Sequence, residues 1–188
     1  KGIQPTLAIL RVGEREDDLS YERGATKRCE KTGVAVKNVV LPLDVSQEVF
    51  MQTIEDLNKD NGVHGVLMFR PLPKTLDEKA ACQALDPAKD VDGITSGSMA
   101  SIYAGSGKGF APCTAQAVIE MLKYYEVEMS GKKAAVIGRS LVIGKPVSML
   151  LMNENATVTV CHSRTKDMPS IVKDADIVVA ALGRAEMI

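Results

Sequence analysis

The chain has 188 residues and a near-even charge balance, 23 basic against 24 acidic side chains for a formal net charge of −1. That length suits one large domain or two small ones, and folding buries roughly 70% of the unfolded chain's surface, enough for a proper core. With no run of one sign, no signal peptide and no apolar span of about 20 residues, neither a nucleic-acid nor a membrane partner is expected.

Apolar runs of strand length alternate with segments of helical period. LAILRV (Leu7 to Val12) reads as a strand, followed by a helix from about Asp18 to Thr32 that Gly33 stops. KNVVLPL forms the next strand, and SQEVFMQTIEDLNK a helix with Val49, Ile54 and Leu57 on one side. VHGVLMF (Val63 to Phe69) is a third strand, closed by Pro71-Leu72-Pro73. A short helix around Asp77 to Leu85 and the polar loop DPAKDVDGIT come next, then a helix from Thr114 to Tyr125. A second series runs strand 133–137, helix 146–153, strand 157–161, helix 167–174 and strand 176–182. The last of these is apolar on both faces, as a strand covered on both sides would be.

Strands alternating with helices predict an α/β protein built on parallel sheets. The domain boundary is placed near Pro112 to Thr114, giving domains 1–112 and 113–188. The four cysteines, Cys29, Cys82, Cys113 and Cys161, are dispersed without a C-x-x-C, and two histidines are too few for a zinc set. No metal is therefore expected, and the thiols fit a reducing cytoplasm. A start at Lys1-Gly2 and an end at Glu186-Met187-Ile188, just after a strand, read as a fragment lacking elements at both ends.

The stretch AAVIGRSLVIGKPV carries the clearest chemistry. A strand ending at Gly138 turns through Arg139 and Ser140 to Gly144, with Pro146 in the first helical turn. This is not G-x-G-x-x-G, yet the geometry points backbone N–H groups and a positive helix end at whatever sits above the turn. A tight turn without a ligand is the plainer alternative. The next strand ends Cys161-His162-Ser163-Arg164-Thr165 with no carboxylate for a ribose 2′-hydroxyl. With Arg139, Ser163 and Arg164 make a pocket suited to an extra phosphate, so NADP is preferred, with NAD the alternative. His162 is either a surface imidazole or a stacking partner for the adenine.

In order, PTLAILRVG, VHGVL, PLP, DVDGIT, PCTAQA, GRSxxxGKP, ATVTVCHS and ADIVVAALG cover essentially the whole chain. Together they resemble the methylenetetrahydrofolate dehydrogenase/cyclohydrolase family. The resemblance implies two α/β domains with a substrate cleft between them, the second of Rossmann type, and a homodimer. It implies tetrahydrofolate derivatives as substrates. Tyr21 and Asp92 would be catalytic: Tyr21 would line the folate site as an orienting phenol. The Asp92 carboxylate can accept two parallel hydrogen bonds from the amino-pyrimidinone edge of the pterin. Ala25, Met68, Phe69 and Arg70 would complete the substrate site. Thr114 would sit near the nicotinamide, and Gly138, Arg139, Ser140, Gly144, Ser163 and Arg164 would hold the cofactor.

The chain departs from the family pattern at two positions. Bifunctional members carry a lysine four residues after the tyrosine, with a glutamate and a glycine further on. Glu30 and Gly33 keep those spacings, but the lysine position is Ala25. Lys27 lies about 240° round the helix from Tyr21, and Arg28 returns to its face about 10 Å along the axis. A guanidinium stays protonated and cannot act as a base. The family's glutamine, two residues before Pro-Leu, is Phe69 here, followed by Arg70.

Hydrolysis of the methenyl carbon must move protons. Hydride departure needs only alignment and exclusion of water. The expectation is NADP-dependent oxidation of 5,10-methylenetetrahydrofolate with little or no cyclohydrolase activity. The alternatives are a bifunctional enzyme using another group and, more remotely, a binding protein that has lost catalysis.

Overall fold

A computed structural model describes residues 2–106 and 109–182. Its backbone divides at Gly97/Ser98 into two compact units, fifteen residues before the boundary expected from the sequence. Helix Ser96–Ala104, to which the sequence reading assigned no element, crosses the dividing point.

The first unit contains β1 (Thr6–Val12), α1 (Glu16–Thr32), β2 (Ala35–Leu41), α2 (Gln47–Lys59), β3 (Gly65–Met68) and α3 (Glu78–Ala84). All three strands are parallel in the order β2-β1-β3, with Leu10 opposite Val39 and Met68. β1 is the central strand, and Ala8, Ile9 and Leu10 are essentially inaccessible to water. β3 is shorter than the expected 63–69 because His64 and Phe69 bond to β1 from outside the regular ladder.

Helix α2 begins at Ser46, whose hydroxyl accepts the Val49 N–H at 3.3 Å. Its buried stripe is Phe50, Ile54 and Leu57. Val49, expected on that face, is 52% exposed. Phe50 stands four residues before Ile54 and seven before Leu57, the spacing of one helix face, whereas Val49 is turned about 100° away.

Helix α1 is of another kind, because none of its residues is buried. Its first turn carries Glu16, Asp17 and Asp18 at the positive end of the helix dipole. Gly33, at φ 71°, ends it, while the Val34 N–H bonds back to the Cys29 carbonyl at 2.9 Å.

The loop after α3 is tied by Asp90, which is fully buried. Its two oxygens accept the N–H groups of Ile94 (3.0 Å) and Thr95 (2.8 Å). Lys89 beside it donates to the carbonyls of Leu57 and Asp60 at the end of α2, both at 2.7 Å.

The second unit contains α4 (Ser96–Ala104, from its third residue), α5 (Cys113–Tyr124), β4 (Lys133–Ile137), α6 (Gly144–Asn153), β5 (Thr157–Cys161), α7 (Met168–Lys173) and β6 (Ile177–Ala180). The strands are parallel in the order β5-β4-β6, with Ile137 opposite both Cys161 and Ala180. Ala115 and Ile119 of α5, with Val147 and Leu151 of α6, pack on Ala134, Val136, Ile177 and Val179.

Strand β6 departs from the expectation of two covered faces: Ile177 and Val179 are buried, but Val178 is 43% exposed. Among the described residues β6 is an edge strand whose covered face meets α5 and α6. Gly183, the last residue of the ADIVVAALG word, lies outside the described residues. No described helix is long and apolar enough to cross a membrane.

The environments of Asp90 and Asp92 predict opposite costs of truncation. Asp90→Ala strands two backbone N–H groups and should destabilise the first unit by about 2 kcal/mol or more. Asp92→Ala should change stability by no more than about 0.5 kcal/mol. Urea unfolding of both variants checks the difference.

Candidate active site

In the first unit, the residues expected at the folate site come from α1, from the end of β3 and the chain just beyond it, and from the loop after α3. Tyr21 projects from α1 and is 60% exposed. Its ring meets Phe69 edge-on, with centroids 5.3 Å apart and planes at 66°. Ala25 lies one turn further along α1. With Asp17, Ser20, Tyr21, Gly24 and Arg28 it lines an open groove of about 590 Å³. These positions recur every three or four residues, which makes them one face of the helix. Arg28 does return to the Tyr21 face.

Phe69 is only 7% exposed, and its N–H bonds to the Leu10 carbonyl at 2.9 Å. Met68 is 3% exposed and belongs to the core cluster with Leu10 and Phe50, so it gives the strand end packing rather than surface.

Arg70 reaches two carboxylates, Glu78 and Asp92, each at 3.8 Å. A cis peptide joins it to Pro71. Glu78 in turn accepts the Leu72 N–H at 2.9 Å, and Arg15 donates to the Pro71 carbonyl at 3.2 Å. The Pro-Leu-Pro turn is thus fixed from α3 and from the chain before α1. Asp92 remains about a quarter exposed, at 28% of its side chain. Tyr21 and Phe69 are therefore in contact, and Arg70 joins the following residue position to Asp92. Burial pushes the thiol of nearby Cys82 up, with the Arg70 charge pulling the other way.

Two residues beside this site escaped the sequence reading. Arg11, at the end of β1, is 7% exposed and pairs with Glu22 of α1 at 2.6 Å. A further Arg11 N–H goes to the Gly13 carbonyl, and Asn38 of β2 donates to the other Glu22 oxygen at 3.4 Å. The available signal was an arginine inside the apolar run LAILRV, which needs a partner once buried.

In the second unit, the glycine loop joins β4 to α6. Gly138 has φ 117°, and a side chain there would collide with the Ala181 carbonyl. A side chain at Gly144 would strike the Gly138 carbonyl, so these two glycines let the backbone fold closely on itself. The Ser140 hydroxyl accepts the N–H groups of Ile143 (3.1 Å) and Gly144 (3.4 Å), capping the turn into α6. Its own hydrogen stays available to donate.

Arg139 is exposed and has no ion-pair partner among the described residues. Ser163 and Arg164, both exposed, follow β5 in a turn held by the Thr165 hydroxyl, which accepts the His162 N–H at 2.8 Å. The His162 ring takes part in that turn, accepting the Arg164 N–H at 3.2 Å. Thr114 is exposed in the first turn of α5. Among the described residues no group of three or more His, Cys, Asp or Glu could hold a metal ion.

Residues 1–92 match the catalytic domain of tetrahydrofolate dehydrogenase/cyclohydrolase, and residues 112–188 match its NAD(P)-binding domain. The chain is 52% identical over 98% of its length to a bifunctional protein FolD of Alkaliphilus oremlandii, of which it spans 65%. A crystal structure of the bifunctional enzyme FolD from Campylobacter jejuni superposes with a TM-score of 0.96 at 34% identity, over all of this chain and 66% of that one. The Trypanosoma brucei enzyme, solved with NADP cofactor and an inhibitor, gives 0.88 at 37% identity, over 96% of this chain and 62% of that one. Matched by both domain models and by relatives along its whole length, the chain belongs to the tetrahydrofolate dehydrogenase/cyclohydrolase family.

Proposed function

We propose that the protein containing this chain oxidises 5,10-methylenetetrahydrofolate to the 5,10-methenyl form with NADP, and hydrolyses the product to 10-formyltetrahydrofolate. The observation that carries the dehydrogenase reading is the joining in one chain of a folate-type catalytic domain and an NAD(P)-binding domain. The second activity is supported by relatives about half identical over the whole chain, which bear the name bifunctional. They favour the bifunctional alternative over the single-activity expectation raised by Ala25 and Phe69.

The side chains divide the work by their chemistry. Asp92 accepts the amino-pyrimidinone edge of the pterin, with the Arg70 guanidinium 3.8 Å away to hold it in place. Tyr21 orients the reacting ring through its phenol, while the Phe69 ring behind it keeps water from that side. The substrate's N5 and N10 lone pairs stabilise the cation that hydride loss leaves. The protein is therefore asked mainly for alignment.

The tight Gly138–Gly144 turn leads from β4 into the N-terminus of α6, the strand-turn-helix arrangement that suits a dinucleotide pyrophosphate. The dinucleotide, when bound, supplies the hydride acceptor. Ser140 donates its free hydroxyl hydrogen to a phosphate, Arg139, Ser163 and Arg164 hold the 2′-phosphate, and Thr114 lies towards the nicotinamide. The protein acts as a homodimer in the cytoplasm.

A dehydrogenase without the second activity is the competing reading, favoured by one specific observation. The position one turn after Tyr21 is an alanine, and its aromatic neighbour is 7% exposed. No lysine–glutamine couple is therefore available there to move protons. For the bifunctional reading, a water held by the groove's remaining polar groups, Asp17, Ser20, Tyr21 and Arg28, must serve instead.

Full-length protein mixed with methenyltetrahydrofolate, without any nicotinamide cofactor, should accelerate the loss of its absorbance. Loss at the spontaneous rate alongside NADP reduction from methylenetetrahydrofolate would establish the single-activity enzyme. Arg139→Ala should raise KM for NADP tenfold to a hundredfold, on the order expected for a lost charged hydrogen bond, and KM for NAD by less than about twofold. Equal effects on both cofactors would remove Arg139 from the 2′-phosphate.

A further inference from the structure

We propose that the buried Arg11–Glu22 pair is a positioning device for the folate site, setting the rotation of α1 about its own axis and thereby the placement of Tyr21. This rests on the reading that Tyr21 faces the folate.

A helix on a sheet is ordinarily oriented by an apolar stripe that seeks the core. Helix α1 has no fully buried residue, only partly buried ones such as Leu19 and Cys29. Its strongest tie to the sheet is polar: Arg11 and Glu22 approach to 2.6 Å, with side chains only 8% and 14% exposed. Arg11 also donates to the Gly13 carbonyl, and Asn38 donates to Glu22 at 3.4 Å. Glu22 is thus held from both β1 and β2.

Tyr21 is the preceding residue, turned about 100° from Glu22. Its ring meets Phe69, just beyond β3 on the other side of β1. The helix is therefore tied to β1 and β2 through Glu22 and to the chain just beyond β3 through Tyr21, and among the described contacts the Glu22 ion pair is the most directional. A guanidinium–carboxylate bond is short and oriented, whereas an exposed ring edge on Phe69 tolerates sliding. Ala25 and Arg28 share the Tyr21 face and would move with it.

A buried ion pair often adds little stability over an apolar pair of similar size, so its effect here is predicted on geometry rather than on folding. That contrast supplies the test. In the full-length protein, Arg11→Met combined with Glu22→Leu replaces the pair by apolar side chains. We expect a melting temperature within a few degrees of wild type and KM for NADP within twofold. KM for methylenetetrahydrofolate should rise about tenfold and kcat fall about tenfold. Glu22→Asp keeps the charge but shortens the tether, and should give a smaller change of the same kind.

Wild-type folate KM and kcat in the folded double variant would overturn the proposal. So would a loss of kcat proportional to the loss of folded protein, with both KM values unchanged. If the double variant does not fold, Glu22→Asp is decided by the same split: an unchanged folate KM overturns the proposal. Tyr21→Ala separates the underlying reading. Unchanged folate KM in that variant would remove the folate from this face of α1, whatever the pair does.

Discussion

Parallel pairing to a central strand is the constraint on which the candidate sites depend. In a parallel sheet every strand ends at the same edge, so residues distant in sequence gather there without special contacts. In the first unit β1 is flanked by β2 and β3, and Arg11 and Phe69 lie at or just beyond the carboxyl ends of β1 and β3, with Asn38 midway along β2. In the second unit β4 is flanked by β5 and β6, which puts Gly138 and the His162–Thr165 turn side by side. The Gly138 N–H bonds directly to the Cys161 carbonyl at 2.8 Å. Burial of the central strands holds this register, since a one-residue slip would turn their apolar side chains to the opposite face.

Upon that frame the two units use different chemistry to fix their loops. The glycine loop is set by exclusion: two positions where a side chain would meet a backbone carbonyl, and one hydroxyl that caps the turn. Helix α1 is tied to its sheet by charge, with Glu22 paired to a buried arginine. The turn between them in sequence, DVDGIT, divides its two aspartates. Asp90 satisfies buried backbone, and Asp92 stays accessible beside Arg70.

Ala25 and Phe69 change the character of the groove beside Tyr21. Neither an alanine side chain nor the buried ring packed behind Tyr21 accepts or donates protons. Arg28 stands on the right face but is a permanent cation, able to attract a carboxylate or stabilise negative charge and unable to take a proton.

Much of this was legible in the sequence. Alternating apolar runs and helical periods gave the parallel α/β class and twelve of the elements, with ends displaced by a few residues. The words around Gly138, Asp92 and Tyr21 pointed to the family that the comparisons show. Periodicity read locally was less reliable where neighbours decide the outcome. Val49 and Phe50 are both apolar, and only the packed helix shows which faces the core. Val178 looks buried in a run of apolar residues but stands on the outer face of an edge strand.

Helix α4, rich in serine and glycine, has low intrinsic preference and is held by contacts such as Asn153 to the Ile102 carbonyl at 3.1 Å. The sequence alone determined twelve of the elements and the residue types at the sites, because spacing and composition are local properties. Only the tertiary structure decided that Arg11 meets Glu22, that Asp90 is buried and that Asp92 is not, because pairing and burial depend on residues brought together from distant parts of the chain.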